Sequence, residues 1–410
     1  MLRPTEKQLK FLNWEMGVFF HFGIRTFYEG HVDWDGELMP ADKFMPESLD
    51  CESWIRAAAE GGAKYAILTA KHHDGFANWQ SAYTEYSVKN TPWKNGQGDV
   101  VREFTDACRK YSLGVGIYYS PAQFGSRRIQ GKEYDDYFIN QITELLTNYG
   151  KIDYLWFDGC GSEAHEYDRD RIVSTIRKLQ PDIMIFSMWD PDTRWVGNED
   201  GIADLDISYV TQSETTSIND KESRTLEKEV FLPYECDCKI RRKNWFYSEN
   251  DGHLLRSPED LVGLYYYSVG RGGNLLLNIA PDRRGLLPEP DCAALREMRR
   301  ILDRRFAEPL PYILEKADGG YTVEFSKPVL IDTMVLCEEL SQGQIIESFE
   351  LCELWFDRKT VLVRGGFVGH KRIVEFPSIY GKRFFLRVKG KNDSARLASL
   401  NFYKTSGTAR

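Results

Sequence analysis

From the N-terminus to about residue 305, short apolar runs alternate with longer stretches in which apolar residues recur every three or four positions. The runs Gly17–Phe22, Tyr65–Ala70, Val115–Ser120, Tyr154–Asp158, Ile183–Ser187, Val230–Glu235 and Leu275–Ile279 predict strands, with Ile207–Val210 a weaker eighth. Cys51–Gly61, Asp99–Tyr111 and Tyr134–Asn148 predict amphipathic helices with Ser or Asp near their starts. Eight such units in about 300 residues predict an α/β fold, a (β/α)8 barrel with some long loops. A doubly wound sheet would carry a Gly-rich phosphate turn after its first strand, and none stands there. After Arg304 the texture changes: Pro309 and Pro311 break the last helix, and Tyr321–Lys404 alternates apolar with polar positions between Gly, Asp, Asn and Ser turns. The expectation is a barrel over residues 1–308 and a C-terminal antiparallel β-sandwich over 309–410. The connection at 305–320 is short and holds apolar Leu310, Ile313 and Leu314, so the sandwich is expected to brace the barrel rather than to work alone on a linker.

Composition narrows the partner. With 53 Lys+Arg against 62 Asp+Glu the net charge is -9, which argues against nucleic acid or an anionic membrane surface. No run of about 18 apolar residues predicts a membrane span, and Met1–Lys10 has no apolar signal core. The expectation is a cytoplasmic chain, or a secreted or periplasmic one whose signal was removed. Eight cysteines without a CxxC pair predict reduced thiols and neither a zinc ribbon nor a disulfide framework. The 10 Trp, 22 Tyr and 23 Phe exceed what an average core uses and suit a cleft that stacks on the C–H faces of sugars or on other flat ligands.

In a (β/α)8 barrel, reactive groups lie at the carboxyl ends of strands. The predicted strands end in His21, in Lys71-His72-His73-Asp74-Gly75, in Tyr118-Tyr119-Ser120, in Trp156-Phe157-Asp158-Gly159 and in Glu235. Such a ring of hydrogen-bonding groups fits a polyhydroxylated ligand. An isolated strand-end Asp commonly caps the next helix. In this company Asp158 is a candidate for one of two carboxyls that flank a glycosidic bond, a pair that sits about 5 to 5.5 Å apart in a retaining mechanism. His72 and His73 are neighbours, and strand neighbours point to opposite sides, so a shared metal ion requires an irregular strand end. No metal and no cofactor are expected.

The segments Phe20–Gly23, Leu68–Phe76, Ser87–Asn90 with Pro92-Trp93, Gly98–Glu103, Leu155–Gly159 and Asn274–Asn278 resemble, in order, the motifs of the glycoside hydrolase family 29 α-L-fucosidases over nearly the whole chain. Arg194–Glu199, Ile240-Arg241 with Trp245–Tyr247, and Pro281–Gly285 are similar to the branch that prefers α-1,3/1,4-linked fucose in Lewis-type glycans. The resemblance implies a retaining, exo-acting α-L-fucosidase with Asp158 as nucleophile and a fucosylated oligosaccharide or glycoconjugate as partner. It implies Glu199 as acid/base, with Glu235 as rival because it ends a predicted strand. It also implies that His21, Trp34, His72, His73 and Tyr119 contact the fucose ring and that Trp245 walls the pocket near the sugar methyl; Tyr118 adjoins Tyr119. The alternatives are a broad-specificity α-L-fucosidase, a silent fucose-binding protein on the same scaffold, and a metal hydrolase using His21, His72, His73 and Asp158. Two departures stand out: Asp33-Trp34 where the branch shows Glu-Trp, with Glu29 nearby, and Ser120–Ser126 where Ser-Pro-Trp-Asp-Arg is expected.

Overall fold

The computed structural model describes residues 2–31, 37, 39–123, 131–162, 165–215, 224–356 and 358–406. Helix α1 (Glu6–Trp14) starts at a capping box in which the Thr5 side chain accepts from the Gln8 amide while the Gln8 side chain accepts from the Thr5 amide. There follow β1 (Met16–Phe20), α2 (Cys51–Glu60), β2 (Tyr65–Lys71), α3 (Val100–Lys110), β3 (Gly114–Tyr119), α4 (Lys132–Asn148), β4 (Tyr154–Phe157), α5 (Arg169–Leu179) and β5 (Met184–Phe186). Asp50, Asp99 and Asp168 cap α2, α3 and α5, each accepting a first-turn amide on its carboxylate. The second half is less regular: β6 (Arg194–Trp195), a hairpin of β7 (Val210–Glu214) and β8 (Arg224–Phe231), β9 (Tyr234–Lys239), α6 (Pro258–Tyr267), β10 (Asn274–Asn278) and α7 (Glu289–Phe306).

The eight parallel strands run in the order β5-β4-β3-β2-β1-β10-β9-β6, and a parallel bridge from Phe186 to Thr193 brings the two ends of this path together. The result is the expected barrel, nearly closed. Two predicted strands fall elsewhere. Val230–Glu235 is not one strand: Leu232-Pro233 separates the end of β8 from the start of β9, and proline cannot donate to a ladder. Of Ile207–Val210 only Val210 is in a strand, and that strand lies in the hairpin outside the barrel. The remaining barrel strand is β6, two residues long. It follows β5 without a helix, because Ser187 and Trp189 take φ of 65° and 67° and turn the chain back at once.

Strand alternation sorts the core into two shells. Phe11 from α1 joins Phe19, Tyr65, Tyr118, Tyr154, Trp156, Phe186, Trp195 and Leu276 in an aromatic filling of the barrel. Phe20, Leu68, Ile117, Tyr119 and Leu277 belong instead to the larger core that includes the helices.

Beyond α7 the chain forms β11 (Tyr312–Ala317), β12 (Gly320–Glu338), β13 (Ile346–Trp355), β14 (Arg358–Gly365), β15 (Arg372–Gly390) and β16 (Leu397–Tyr403). They make one antiparallel sheet in the order β11-β12-β15-β13-β14, with β16 on β12. Register shifts in the 19-residue β12 and β15 bend the sheet around a core of Val323, Phe325, Met334, Phe349, Phe384 and Phe402. This unit is bound to the barrel: the Tyr209 amide donates to Gln344 Oε1 at 2.8 Å, the Tyr209 hydroxyl accepts from the His370 amide at 3.0 Å, and Lys371 Nζ lies 2.5 Å from Glu15 Oε1. Among the described residues no helix is long and apolar enough to cross a membrane.

Candidate active site

Asp158 follows the last residue of β4, where the parity that turns Tyr154 and Trp156 inward also turns its carboxylate into the barrel mouth. Three donors surround it. Its Oδ2 accepts from the Tyr118 hydroxyl at 2.8 Å and faces His73 Nε2 at 3.4 Å, and its Oδ1 accepts from the Cys160 amide at 2.9 Å. Gly161, at φ 74°, completes the turn that points this amide back. Burial pushes the carboxyl up, but His73, the Cys160 amide and His72 outweigh it and hold the group at about 2. The carboxylate is therefore ionised at neutral pH, with its side chain 23% exposed to an incoming ligand.

His72 and His73 lie just past the end of β2, in a turn closed by the Gly75 amide donating to the His72 carbonyl at 3.0 Å. Gly75 has φ 82°, and a Cβ there would come within 2.8 Å of the Gln123 side chain, so this turn is made for glycine. The strand end is thus irregular, which lets both imidazoles face the mouth with ring centroids 4.3 Å apart. Donor atoms of His72, His73 and Asp158 lie within 4.8 Å of one another, a set that could hold a metal ion. Hydrogen bonding gives His73 a different use. Ser120 Oγ donates its one hydrogen to the Ala122 carbonyl at 2.8 Å, so the 2.5 Å contact with His73 Nδ1 is donated by the ring. Only a protonated His73 can then also donate from Nε2 to Asp158.

The two tyrosines of β3 part by alternation. Tyr118 faces inward on Asp158, and its ring is stacked with His72 at 5.1 Å and Trp156 at 5.5 Å. Tyr119 faces the helices: its hydroxyl donates to Gln141 Oε1 at 2.7 Å, and Lys71 Nζ sits 4.3 Å from its ring centroid. Of the two, Tyr118 and not the expected Tyr119 faces the barrel mouth. His21 reaches the mouth from β1, its Nδ1 2.8 Å from Asn278 Oδ1, and Asn278 Nδ2 donates to the Trp245 carbonyl at 2.7 Å. His21 lies 4.9 Å from the Trp245 ring and 5.6 Å from His72, by ring centroids.

The two acid/base candidates separate by depth. Glu199, on the loop after β6, accepts on Oε2 from Lys239 Nζ at 2.7 Å and from Trp245 Nε1 at 3.2 Å. Rings in sequence, Trp245, His21, His72 and Tyr118, join it to Asp158 across one mouth. Trp195, four residues before Glu199, points away from it and donates its indole N–H to buried Asp237 at 2.6 Å. Glu235 is the second residue of β9, at the amino end, where it accepts from the Tyr65 hydroxyl and from Trp156 Nε1 at 2.8 Å. It is fully buried, and burial pushes its carboxyl up to about 7. Its place in the floor removes it from the ring of groups at the strand ends.

A sequence model described as Alpha-L-fucosidase matches residues 3–305 of this chain, about three quarters of it. The chain is also 33% identical to "Alpha-L-fucosidase 1" of Arabidopsis thaliana, over 99% of this chain and 89% of that protein. The chain belongs to the α-L-fucosidase family. It is similar to the crystal structure of a glycoside hydrolase 29 family member from an unknown rumen bacterium, with TM-score 0.89 and 31% identity over 98% of this chain and 77% of that one. A Ruminococcus gnavus GH29 fucosidase in complex with fucose shares the fold, with TM-score 0.84 and 23% identity over 99% of this chain and 96% of that one.

In this fucosidase the structure thus gathers Asp158, His21, His72, His73, Trp245 and Glu199 at one mouth and leaves out Tyr119 and Glu235. Trp34 and Asp33 lie outside the described residues, as do residues 124–126 of the second departure. Glu29 is described: it accepts from Ser248 Oγ at 2.5 Å and pairs with Arg283 at 3.3 Å on the rim. Sequence reasoning placed Tyr118 and Ser120 at a strand end and Asn278 in a motif without giving any of them a role, and it missed Lys239. Parity carried a signal for the first, because Tyr118 pairs with Trp156, two residues before Asp158 on the same face.

Proposed function

We propose that this α-L-fucosidase is an exo-acting, retaining enzyme that releases terminal α-1,3/1,4-linked L-fucose from Lewis-type glycans. Asp158 attacks the anomeric carbon; the bond from that carbon to the leaving oxygen breaks, and Glu199 gives the oxygen its proton. Water then attacks the fucosyl-enzyme, gives a proton to Glu199 and restores the Asp158 carboxylate. The observation that carries this reading is the Asp158 carboxylate, held ionised between Tyr118, His73 and the Cys160 amide at the end of β4. Glu199 joins it through a continuous path of rings around the mouth. His21, His72, His73 and Trp245 supply hydrogen bonds and an apolar wall suited to a deoxy sugar, in keeping with the fucose bound by the Ruminococcus gnavus relative. The linkage rests on the likeness of Arg194–Glu199 to the Lewis-active branch.

Asp158→Asn should abolish turnover of an aryl fucoside with the fold intact, and a loss of only a few-fold removes Asp158 from the nucleophile role. Azide should rescue Glu199→Ala, since an external anion can replace the base once the fucosyl-enzyme has formed. Release of fucose from Lewis-type trisaccharides should exceed release from 2'-fucosyllactose; the reverse order points to a broad or differently directed fucosidase.

A further inference from the structure

Lys239 is the last residue of β9, with its side chain 13% exposed, and no motif of the sequence singled it out. Residues 235, 237 and 239 share one face of that strand. Glu235 lies in the floor and Asp237 anchors Trp195 of β6, while the Lys239 ammonium arrives at the mouth. There it donates to Glu199 Oε2 at 2.7 Å and sits 4.3 Å from the centroid of the Trp245 ring. Trp245 Nε1 donates to the same oxygen at 3.2 Å. Glu199 itself is on a loop, so its carboxylate has no strand end to aim it. Its loop is pinned from below, where Asp200 bridges to Cys238 and Asn198 bonds the Asp200 amide and the Ile202 carbonyl. Its head is held by the lysine and the indole.

We infer that Lys239 is a positioning residue for proton donation. With two donors on Oε2, the exchangeable proton of Glu199 belongs on Oε1, and the clamp turns that oxygen to the leaving group. When the C1–O bond breaks and its electron pair goes to the leaving oxygen, the proton passes from Oε1 to that oxygen, and negative charge appears on the carboxyl beside the ammonium. The stabilisation grows along the reaction, which is the condition for it to speed the step. The indole face keeps the ammonium in place. This rests on Glu199 acting as the acid, as proposed above.

The test compares kcat/KM for aryl fucosides whose leaving phenols differ in acidity, because a strongly acidic phenol departs without a proton and a weakly acidic one needs it. Lys239→Met, which keeps the apolar stem on Trp245, should lose about 10- to 100-fold with a methoxyphenyl fucoside, the scale of one charge-assisted hydrogen bond. It should lose far less with 2,4-dinitrophenyl fucoside. Lys239→Arg should restore much of the difference, since it returns the charge, and serves if the methionine variant folds poorly. Equal losses on both substrates, or no loss on either, overturn the inference. Glu199→Ala is the separate control. If it shows the leaving-group dependence and Lys239→Met does not, only the role of Lys239 falls. If Glu199→Ala shows none, the acid assignment falls and this inference with it.

Discussion

The sharpest check on the arrangement of carboxyls is the substitution Glu235→Gln. Glu235 is fully buried, accepts from Trp156 and Tyr65 in the barrel floor, and has its carboxyl raised from 4.5 to about 7 by burial. At about 1.4 kcal/mol for each tenfold change in proton affinity, that difference is worth roughly 3 kcal/mol. Below pH 4.5 both folded and unfolded chains carry the proton and the group is neutral to stability. Between 4.5 and about 7 the unfolded chain releases the proton while the folded chain keeps it, so stability falls as pH rises. Above about 7 the folded carboxyl ionises too and the loss is complete. Glutamine does not titrate. The stability of Glu235→Gln relative to the parent should therefore move by roughly 3 kcal/mol in the variant's favour between pH 4.5 and pH 8, whatever its offset. Urea unfolding at the two pH values reads this directly. A gap constant to within about 1 kcal/mol would refute a neutral buried carboxyl. The same variant should keep kcat/KM for an aryl fucoside within about tenfold, as a floor residue that never meets substrate should. Azide rescue of Glu235→Ala would place it in the chemistry after all and undo the choice of Glu199.

Four further outcomes follow from the contacts described above. Tyr118→Phe removes the hydroxyl on Asp158 Oδ2 and should lower kcat/KM by about 10-fold or more, the scale of a hydrogen bond to a charged group; Tyr119→Phe, which loses only its bond to Gln141, should stay within a few-fold, and the opposite ranking would reverse the inward face of β3. Glu15, held at about 2 by His370 and Lys371 against burial, ties the barrel to the C-terminal sheet, so Glu15→Gln should cost roughly 2 to 3 kcal/mol at pH 7 and progressively less as pH falls from 4.5 towards 2, measured by urea unfolding. A chain truncated after Leu310 should be less stable still, and a fully stable, active truncation removes the bracing role. Activity unchanged by a chelator is expected despite the close His72, His73 and Asp158 donors; loss on chelation with recovery on added zinc would turn them into a metal site.

The barrel was legible wherever a strand is buried on both faces, because such strands leave an apolar run that needs no tertiary knowledge. β1 to β5 and β10 lie within a residue or two of their predicted runs. Legibility failed where that signal is absent. β6 is two residues long, below any periodicity, and lies inside the Arg194–Glu199 motif. The run Val230–Glu235 misled because a half-exposed hairpin strand and a buried barrel strand abut there, and their apolar letters join across Pro233. One consequence reaches the site: a strand ending at Glu235 would set that residue at the mouth, whereas β9 starts one residue earlier and ends at Lys239.

The same logic explains why one carboxylate was plain and the other ambiguous. Asp158 is aimed by its strand: the backbone of β4 fixes the direction, and a Trp-Phe-Asp-Gly run states that direction in the sequence. Glu199 is aimed by side chains from elsewhere in the chain, Lys239 at 40 positions and Trp245 at 46 positions away, and no local pattern records such a meeting. Between Tyr118 and Tyr119 the residue type is identical and only parity decides, so the pairing of Tyr118 with Trp156 was the observation required. Under the proposed double displacement the division has a mechanistic meaning. A nucleophile must hold one fixed position against a single carbon, which a strand end provides. A group that gives a proton in one step and takes one in the next is better held by charged and polar donors whose grip strengthens as it ionises.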